Sequence, residues 1–339
     1  MRLIKTEDAV GHVLCHDMTQ IIKDQYKDAR FRKGHVVTEE DIPVLLSMGK
    51  EHLYVWEMTS GMVHENDAAE RLLALCGQEN MIRSGVKEGK IELKAACDGV
   101  FLVDSARLVA VNSQDEVMIA TRKGGMAVRE GDKLAGMRVI PLIIEEEKLR
   151  KAEQAAGDKP LLSLKPYVRK TACIVATGGE VKKGLIKDTF TPVVIDKLKT
   201  YGIETLEVVC SGDGVENVRD AVLTMREKKP DMILCTGGMS VDPDDNTPGG
   251  IKAAGANIIA YGAPVLPGAM FLLGYFDDGM PVMGLPGCVM YAGATVFDLI
   301  LPRVAADVPV TRADIAVLGE GGLCLGCKPC RYPLCPFGK

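Results

Sequence analysis

The chain has 339 residues, 47% apolar and 26% charged, enough to bury a sizeable core in ~2 or 3 domains, which excludes disordered and fibrous classes. Its 41 basic and 46 acidic residues leave a formal charge of −5, so no positive field exists to hold a nucleic-acid backbone or an anionic membrane surface. Small polar or anionic ligands remain open.

Met1 to Ala9 carries acids and bases without an apolar h-region, and the expected location is the cytoplasm. Residues 1–60 form a first segment. In it Thr38 opens a helix with acids in its first turn, Ile42, Leu45 and Leu46 give its apolar side, Gly49 stops it, and Leu53-Tyr-Val-Trp56 reads as a strand. Residues 61–150 read as a small β-rich domain after an amphipathic helix between His64 and Cys76. Its short β-type runs are Ile91 to Leu93, Val100 to Val103, Leu108 to Val111, Val117 to Ile119 and Val139 to Ile144. The charge- and alanine-rich stretch from Glu145, closed by Gly157-Asp-Lys-Pro160, predicts a linker over 151–168.

Over 169–310 the period changes to strands alternating with helices. Ala172 to Ala176, Thr205 to Cys210, Met232 to Thr236, Ala256 to Tyr261 and Pro281 to Leu285 are short, mostly apolar runs. Thr191 to Tyr201, Val215 to Glu227, Pro248 to Ala254 and Val289 to Val304 carry helical patterns. The expected fold is α/β, a doubly wound, mostly parallel sheet, preceded by a smaller α+β or β domain. Ala253 to Phe276 holds no formal charge, but its prolines and glycines fit a buried strand, loop and strand better than a membrane span.

Three of these strands end in a glycine turn that opens toward a helix: Thr177-Gly178-Gly179-Glu180, Thr236-Gly237-Gly238-Met-Ser240 and Leu285-Pro286-Gly287-Cys288. Glycine lets backbone N–H groups approach a ligand closely, and a helix N-terminus favours negative charge, so the turns predict an oxyanion site at the carboxyl edge of the sheet. Neither G-x-x-x-x-G-K-[ST] nor G-x-G-x-x-G occurs, which removes the main support for a P-loop or dinucleotide site.

Glu180, Asp188, Asp213, Asp242, Asp244 and Asp245 surround the same turns. Carboxylates beside an anion site make chemical sense when Mg²⁺ bridges them to phosphate or when one acts as a base; as turn or helix caps they would be structural. All five histidines lie in the first 64 residues, so a Ser-His-Asp or histidine-rich metal site built within the α/β domain is excluded.

In their order, Thr177-Gly-Gly-Glu180, Gly184-Leu-Ile-Lys-Asp188-Thr189, Asp213, Thr236-Gly-Gly-Met-Ser-Val-Asp-Pro-Asp-Asp245-Asn-Thr-Pro248 and Gly284-Leu-Pro-Gly287 resemble the molybdopterin-binding domain of molybdenum-cofactor biosynthesis. The resemblance covers Thr171 to Asp307. A fainter resemblance to the molybdenumtransferase runs through Glu7 to Leu14 and Gly34 to Ile42. It implies that Thr236, Gly237, Gly238 and Ser240 hold the phosphate of a pterin, with Thr177, Gly178, Gly179, Pro286 and Gly287 alongside. By the same resemblance Asp213, Asp245 and Glu180 are the acidic catalytic positions, Asp188 the acid before the family's second helix, and Asp245 the Mg²⁺ ligand. Molybdopterin or its adenylated form would be the ligand, molybdate a second substrate, and the assembly a homodimer. The chain departs from the family in Leu266-Pro-Gly-Ala-Met270, which lacks flanking lysines, and in Pro286-Gly-Cys-Val-Met290, where Pro-Gly-Asn-Pro is usual. Those departures keep two readings open: an enzyme that inserts molybdate into the pterin, or a carrier or sensor that binds it without turnover.

The tail, 311–339, carries Cys324, Cys327, Cys330 and Cys335 as C-x2-C-x2-C-x4-C before Pro336. Four thiolates this close suit a tetrahedral Zn²⁺ or an iron–sulfur cluster such as [4Fe-4S].

Overall fold

The computed structural model describes residues 2–22, 26–55, 61–179, 187–240, 242 and 245–339. The chain folds as two compact units. The first comprises Met1–Ala96, Val103–Arg122 and Gly131–Ser163; the second comprises Cys97–Leu102, Lys123–Glu130 and Leu164–Lys339.

In the first unit, strand Arg2–Lys5 pairs antiparallel with His52–Val55, and Ile4, Leu14, Leu45, Leu53 and Val55 close a small core beside helix Asp41–Ser47. A four-stranded antiparallel sheet follows, in the order 81–83, 91–95, 133–139, 117–121. The amphipathic helix expected near His64 spans Glu65–Leu75, and the His64 ring accepts the Asn66 N–H at its start. Leu108 to Val111, expected as a β run, lies inside helix Ser105–Asn112. Asp104 caps that helix by accepting from Arg107 N–H, which local apolarity alone does not reveal. The stretch expected as a linker, 151–168, holds the end of helix Glu146–Ala156 and strand Leu162–Pro166. Its residues are strong helix formers, and Arg71 grips both Glu146 and Glu153 on one side.

The second unit is built on a six-stranded sheet. In chain order its elements are β1 (Thr171–Thr177), α1 (Phe190–Lys199), β2 (Glu204–Ser211), α2 (Val215–Glu227), β3 (Met232–Thr236) and α3 (Thr247–Ala253). Then come β4 (Asn257–Tyr261), β5 (Leu272–Tyr275), β6 (Pro281–Leu285), a 3-10 turn (Gly287–Met290), α4 (Val296–Ala305) and α5 (Arg312–Val317). The strand order is β2-β1-β3-β6-β5-β4, with β2, β1, β3 and β6 parallel and β5 antiparallel to both neighbours. The uncharged stretch 253–276 is thus a strand, loop and strand. Among the described residues no helix is long and apolar enough to cross a membrane.

Alternation along the central strands explains the two layers of helices. Ala172, Ile174, Leu234 and Met283 face α1 and α4, whereas Cys173, Val175, Ile233, Cys235 and Val282 face α2 and α3. Because both faces are covered, β3 and β6 are buried at every position. This is the doubly wound α/β fold. The helix expected over Val289 to Val304 is divided: the 3-10 turn ends at Met290, and α4 begins after Thr295, which forms a reciprocal capping box with Asp298.

Candidate functional site

The three glycine turns leave one edge of the sheet. Ala176 pairs with Thr236, and Thr236 pairs with Leu285, so the carboxyl ends of β1, β3 and β6 lie side by side in register. The chain leaves β1 for β2 at one edge and leaves β3 for β4 at the other. The strand order therefore reverses between Thr177 and Thr236, where open α/β sheets make a crevice outside their strand ends.

Buried hydroxyls hold that crevice. Thr177 Oγ1 donates to Thr236 O at 2.9 Å, and Thr247 Oγ1 donates to Gly237 O at 2.9 Å. Thr247 N–H closes the turn onto Gly238 O at 3.1 Å. Gly237 and Gly238 lie at φ +83° and +58°, and a Cβ on Gly237 would meet Thr177 O at 2.4 Å. The second turn therefore has to be glycine to pass so close to the first. At the third turn, by contrast, a Cβ on Gly287 would meet nothing within 4 Å.

The acids are placed as follows. Asp213, just past β2, accepts the Gly179 N–H with both oxygens, at 3.1 and 3.0 Å. Asp245 accepts the Ser240 N–H at 2.9 Å, closing the segment between the second turn and α3. Asp188 accepts the first two N–H groups of α1, Phe190 at 2.9 Å and Thr191 at 3.0 Å. Each of these carboxylates thus braces a glycine turn or a helix start while standing at the same edge. Asp242 is exposed. Glu180 and Asp244 lie outside the described residues.

Pro286 leads into the 3-10 turn that Gly287 begins, and Met290 in that turn receives the Thr189 hydroxyl at 3.7 Å from its Sδ. That contact joins the third turn to the start of α1, beside Asp188.

Two aromatic residues escaped the sequence reading. Tyr261 ends β4 at the same edge as the turns, and its hydroxyl donates to Met239 O at 3.1 Å. Burial, with the Asp245 carboxylate adding to it, pushes this phenol up, so it stays a neutral donor beside the second turn. Tyr291, 80% exposed, follows the third turn directly. The signal for both was position: one closes a strand at the glycine edge, the other flanks a glycine turn.

Family models match two parts of the chain. Residues 173–306 match a family model described as "Probable molybdopterin binding domain", and residues 3–57 match one described as a domain of unknown function (DUF8806). A CinA-like protein of Desulfosudis oleivorans is 35% identical over 81 residues, 24% of this chain and 19% of the relative. A CinA-like protein of Mycobacterium tuberculosis is 33% identical over 76 residues, 22% of this chain and 18% of the relative. The chain thus spans about a fifth of the length of the curated relatives it matches. Among solved structures, the molybdopterin biosynthesis enzyme MoaB of Thermus thermophilus superposes with TM-score 0.36 at 15% identity, covering 42% of this chain and 98% of that one. A molybdenum cofactor biosynthesis protein of Pyrococcus furiosus gives TM-score 0.28 at 13% identity, over 91% of this chain and 64% of that one. The α/β domain of the second unit is a member of the molybdopterin-binding domain family.

Proposed function

We propose that the chain binds molybdopterin, or its adenylated form, at the switch point and serves molybdenum-cofactor assembly by inserting molybdate. The observation that carries this reading is the register of β1, β3 and β6, which brings three glycine turns to one edge around Thr177 and Thr236. Backbone N–H groups of Gly237 and Gly238 and the Ser240 hydroxyl would receive the pterin phosphate, and the Tyr291 ring offers a flat face for the pterin. Asp245 and Asp213 would organise Mg²⁺ between carboxylate and phosphate, neutralising charge where a phosphate bond breaks. Glu180 completes the acidic set, and a homodimer belongs to the same reading.

A second reading, a carrier or sensor without turnover, draws support from the acids themselves. Both oxygens of Asp213 already accept from Gly179, and one oxygen of Asp245 accepts from Ser240, so less of each carboxylate is free for a cation. The lysine-free segment Leu266 to Met270 points the same way.

Asp245→Asn separates the readings, because the amide oxygen can still accept from Ser240 while the charge is gone. In the enzyme reading, wild type converts adenylated molybdopterin and molybdate to the metal cofactor, and the variant binds the pterin but stops conversion. If wild type binds and never converts, the carrier reading stands. If mass spectrometry finds no pterin retained and added molybdopterin does not bind, both readings fail.

A further inference from the structure

Four of the chain's eleven cysteines line one place: Cys324, Cys327, Cys330 and Cys335 all face a cavity of about 200 Å³. The tail that carries them is folded onto the α/β domain. Cys324 N–H donates to Leu266 O and Leu266 N–H to Gly322 O, each at 2.8 Å, while Gly338 N–H closes the tail on itself at Gly321 O, 3.0 Å away. Phe337 is buried in the same core that Cys324 and Cys335 pack against, while Cys327 and Cys330 are exposed. Such anchoring holds a thiol-lined cavity in place before any occupant arrives.

The spacing of the cysteines in the chain and their surroundings bear on the occupant. Among the described residues no three His, Cys, Asp or Glu side chains are gathered as a single-ion site. Tetrahedral zinc, with each thiolate about 2.3 Å away, needs sulfurs about 3.8 Å apart. Four cysteines around one cavity, in a C-x2-C-x2-C run closed by a fourth cysteine before proline, suit a polynuclear core in which each sulfur binds a different iron. The surroundings also favour negative charge. Arg331 N–H points at Cys327 Sγ from 3.3 Å, and residues 324–339 hold Lys328, Arg331 and Lys339 with no acid.

We propose that this cavity holds a [4Fe-4S] cluster. On loading, two ferrous ions, two ferric ions and four sulfides form the core, and each of the four thiols releases its proton to solvent and bonds one iron in place of a water ligand, so the charge balances at [4Fe-4S]2+ and no electron changes hands. The inference does not depend on pterin binding, but the cavity touches the segment that follows the third glycine turn. Ala294 lines the cavity, and a Cβ on Gly293 would come within 2.7 Å of Cys330 Sγ. Both residues lie between the third glycine turn and α4, so an occupied cavity would steady the segment that follows Pro286-Gly287.

The test is iron, acid-labile sulfide and zinc analysis of the full chain purified anaerobically after incubation with equal amounts of ferrous and ferric iron and with sulfide. Visible absorption is recorded before and after dithionite. About four iron and four sulfide per chain, with a visible band that dithionite bleaches, is the expected result. The double variant Cys327→Ser/Cys330→Ser replaces the two exposed thiols, so its far-UV circular dichroism should match wild type while iron and band are lost. Zinc near one per chain without sulfide, absence of metal, or iron and sulfide retained by the folded double variant would each overturn the proposal.

Discussion

The hydroxyls of Thr177 and Thr247 lie 3.0 Å apart, buried beneath the second glycine turn. Thr177 also reaches Thr236 O and Thr247 reaches Gly237 O, each at 2.9 Å. Two hydroxyls have two protons for these three contacts, so the pair can spend both on carbonyls or one on each other. The crevice between β1 and β3 is therefore fastened by threonines, where a valine of the same shape would pack as well without bonding.

Thr247→Val follows from that arrangement. It keeps the side-chain volume and removes the donor to Gly237 O. The expected loss is about 1–3 kcal/mol, the usual range for a buried acceptor left without its partner. Urea unfolding measures it. A variant as stable as wild type would mean that the hydroxyl does not hold the turn.

How much of this was legible in the sequence depends on the element. The α/β strands were readable because β3 and β6 are buried on both faces and appear as continuous apolar runs, and the glycine turns mark where they end. The switch point between Thr177 and Thr236 was not readable, since strand order is set by which helices cover which face. Helix Ser105–Asn112 was misread because its capping bond, from Arg107 to Asp104, competes with β-type local composition. The break before α4 was missed for a similar reason: apolar periodicity runs through Tyr291 to Thr295, and the Thr295–Asp298 box stops it. For the acids, sequence placed Asp188, Asp213 and Asp245 near the turns, but only the fold shows that each also accepts backbone N–H groups.

Gly237→Ala and Gly287→Ala should behave differently, and the contrast separates structural glycine from ligand-facing glycine. At Gly237 the left-handed φ and the Thr177 carbonyl at 2.4 Å leave no room for a methyl group, so about 1–3 kcal/mol of stability is lost. At Gly287 the added Cβ meets nothing within 4 Å, so stability should change by less than about 0.5 kcal/mol. If the pterin phosphate docks against the third turn, Gly287→Ala weakens its binding about tenfold, roughly 1.4 kcal/mol. Thermal melts and equilibrium binding on the same samples read both effects. Unchanged affinity in Gly287→Ala would remove the third turn from the site.

The first unit offers a pH-dependent prediction through Glu65, which opens the helix after His64 and is 4% exposed. Burial pushes its carboxyl up, and the guanidinium of Arg138, 3.7 Å away, only partly offsets this. A carboxyl whose folded pKa is raised binds more protons folded than unfolded. Its contribution to stability is therefore present at acid pH and is lost as pH rises from the ordinary glutamate value, about 4.3, through the raised one. Glu65→Gln keeps the shape, removes the titration and should flatten the stability profile across that window, leaving the variant more stable than wild type at pH 7. Denaturant unfolding of both proteins between pH 4 and pH 8 is the measurement. If wild type instead gains stability across the window, Arg138 outweighs the cost of burial and the sign of the argument is reversed.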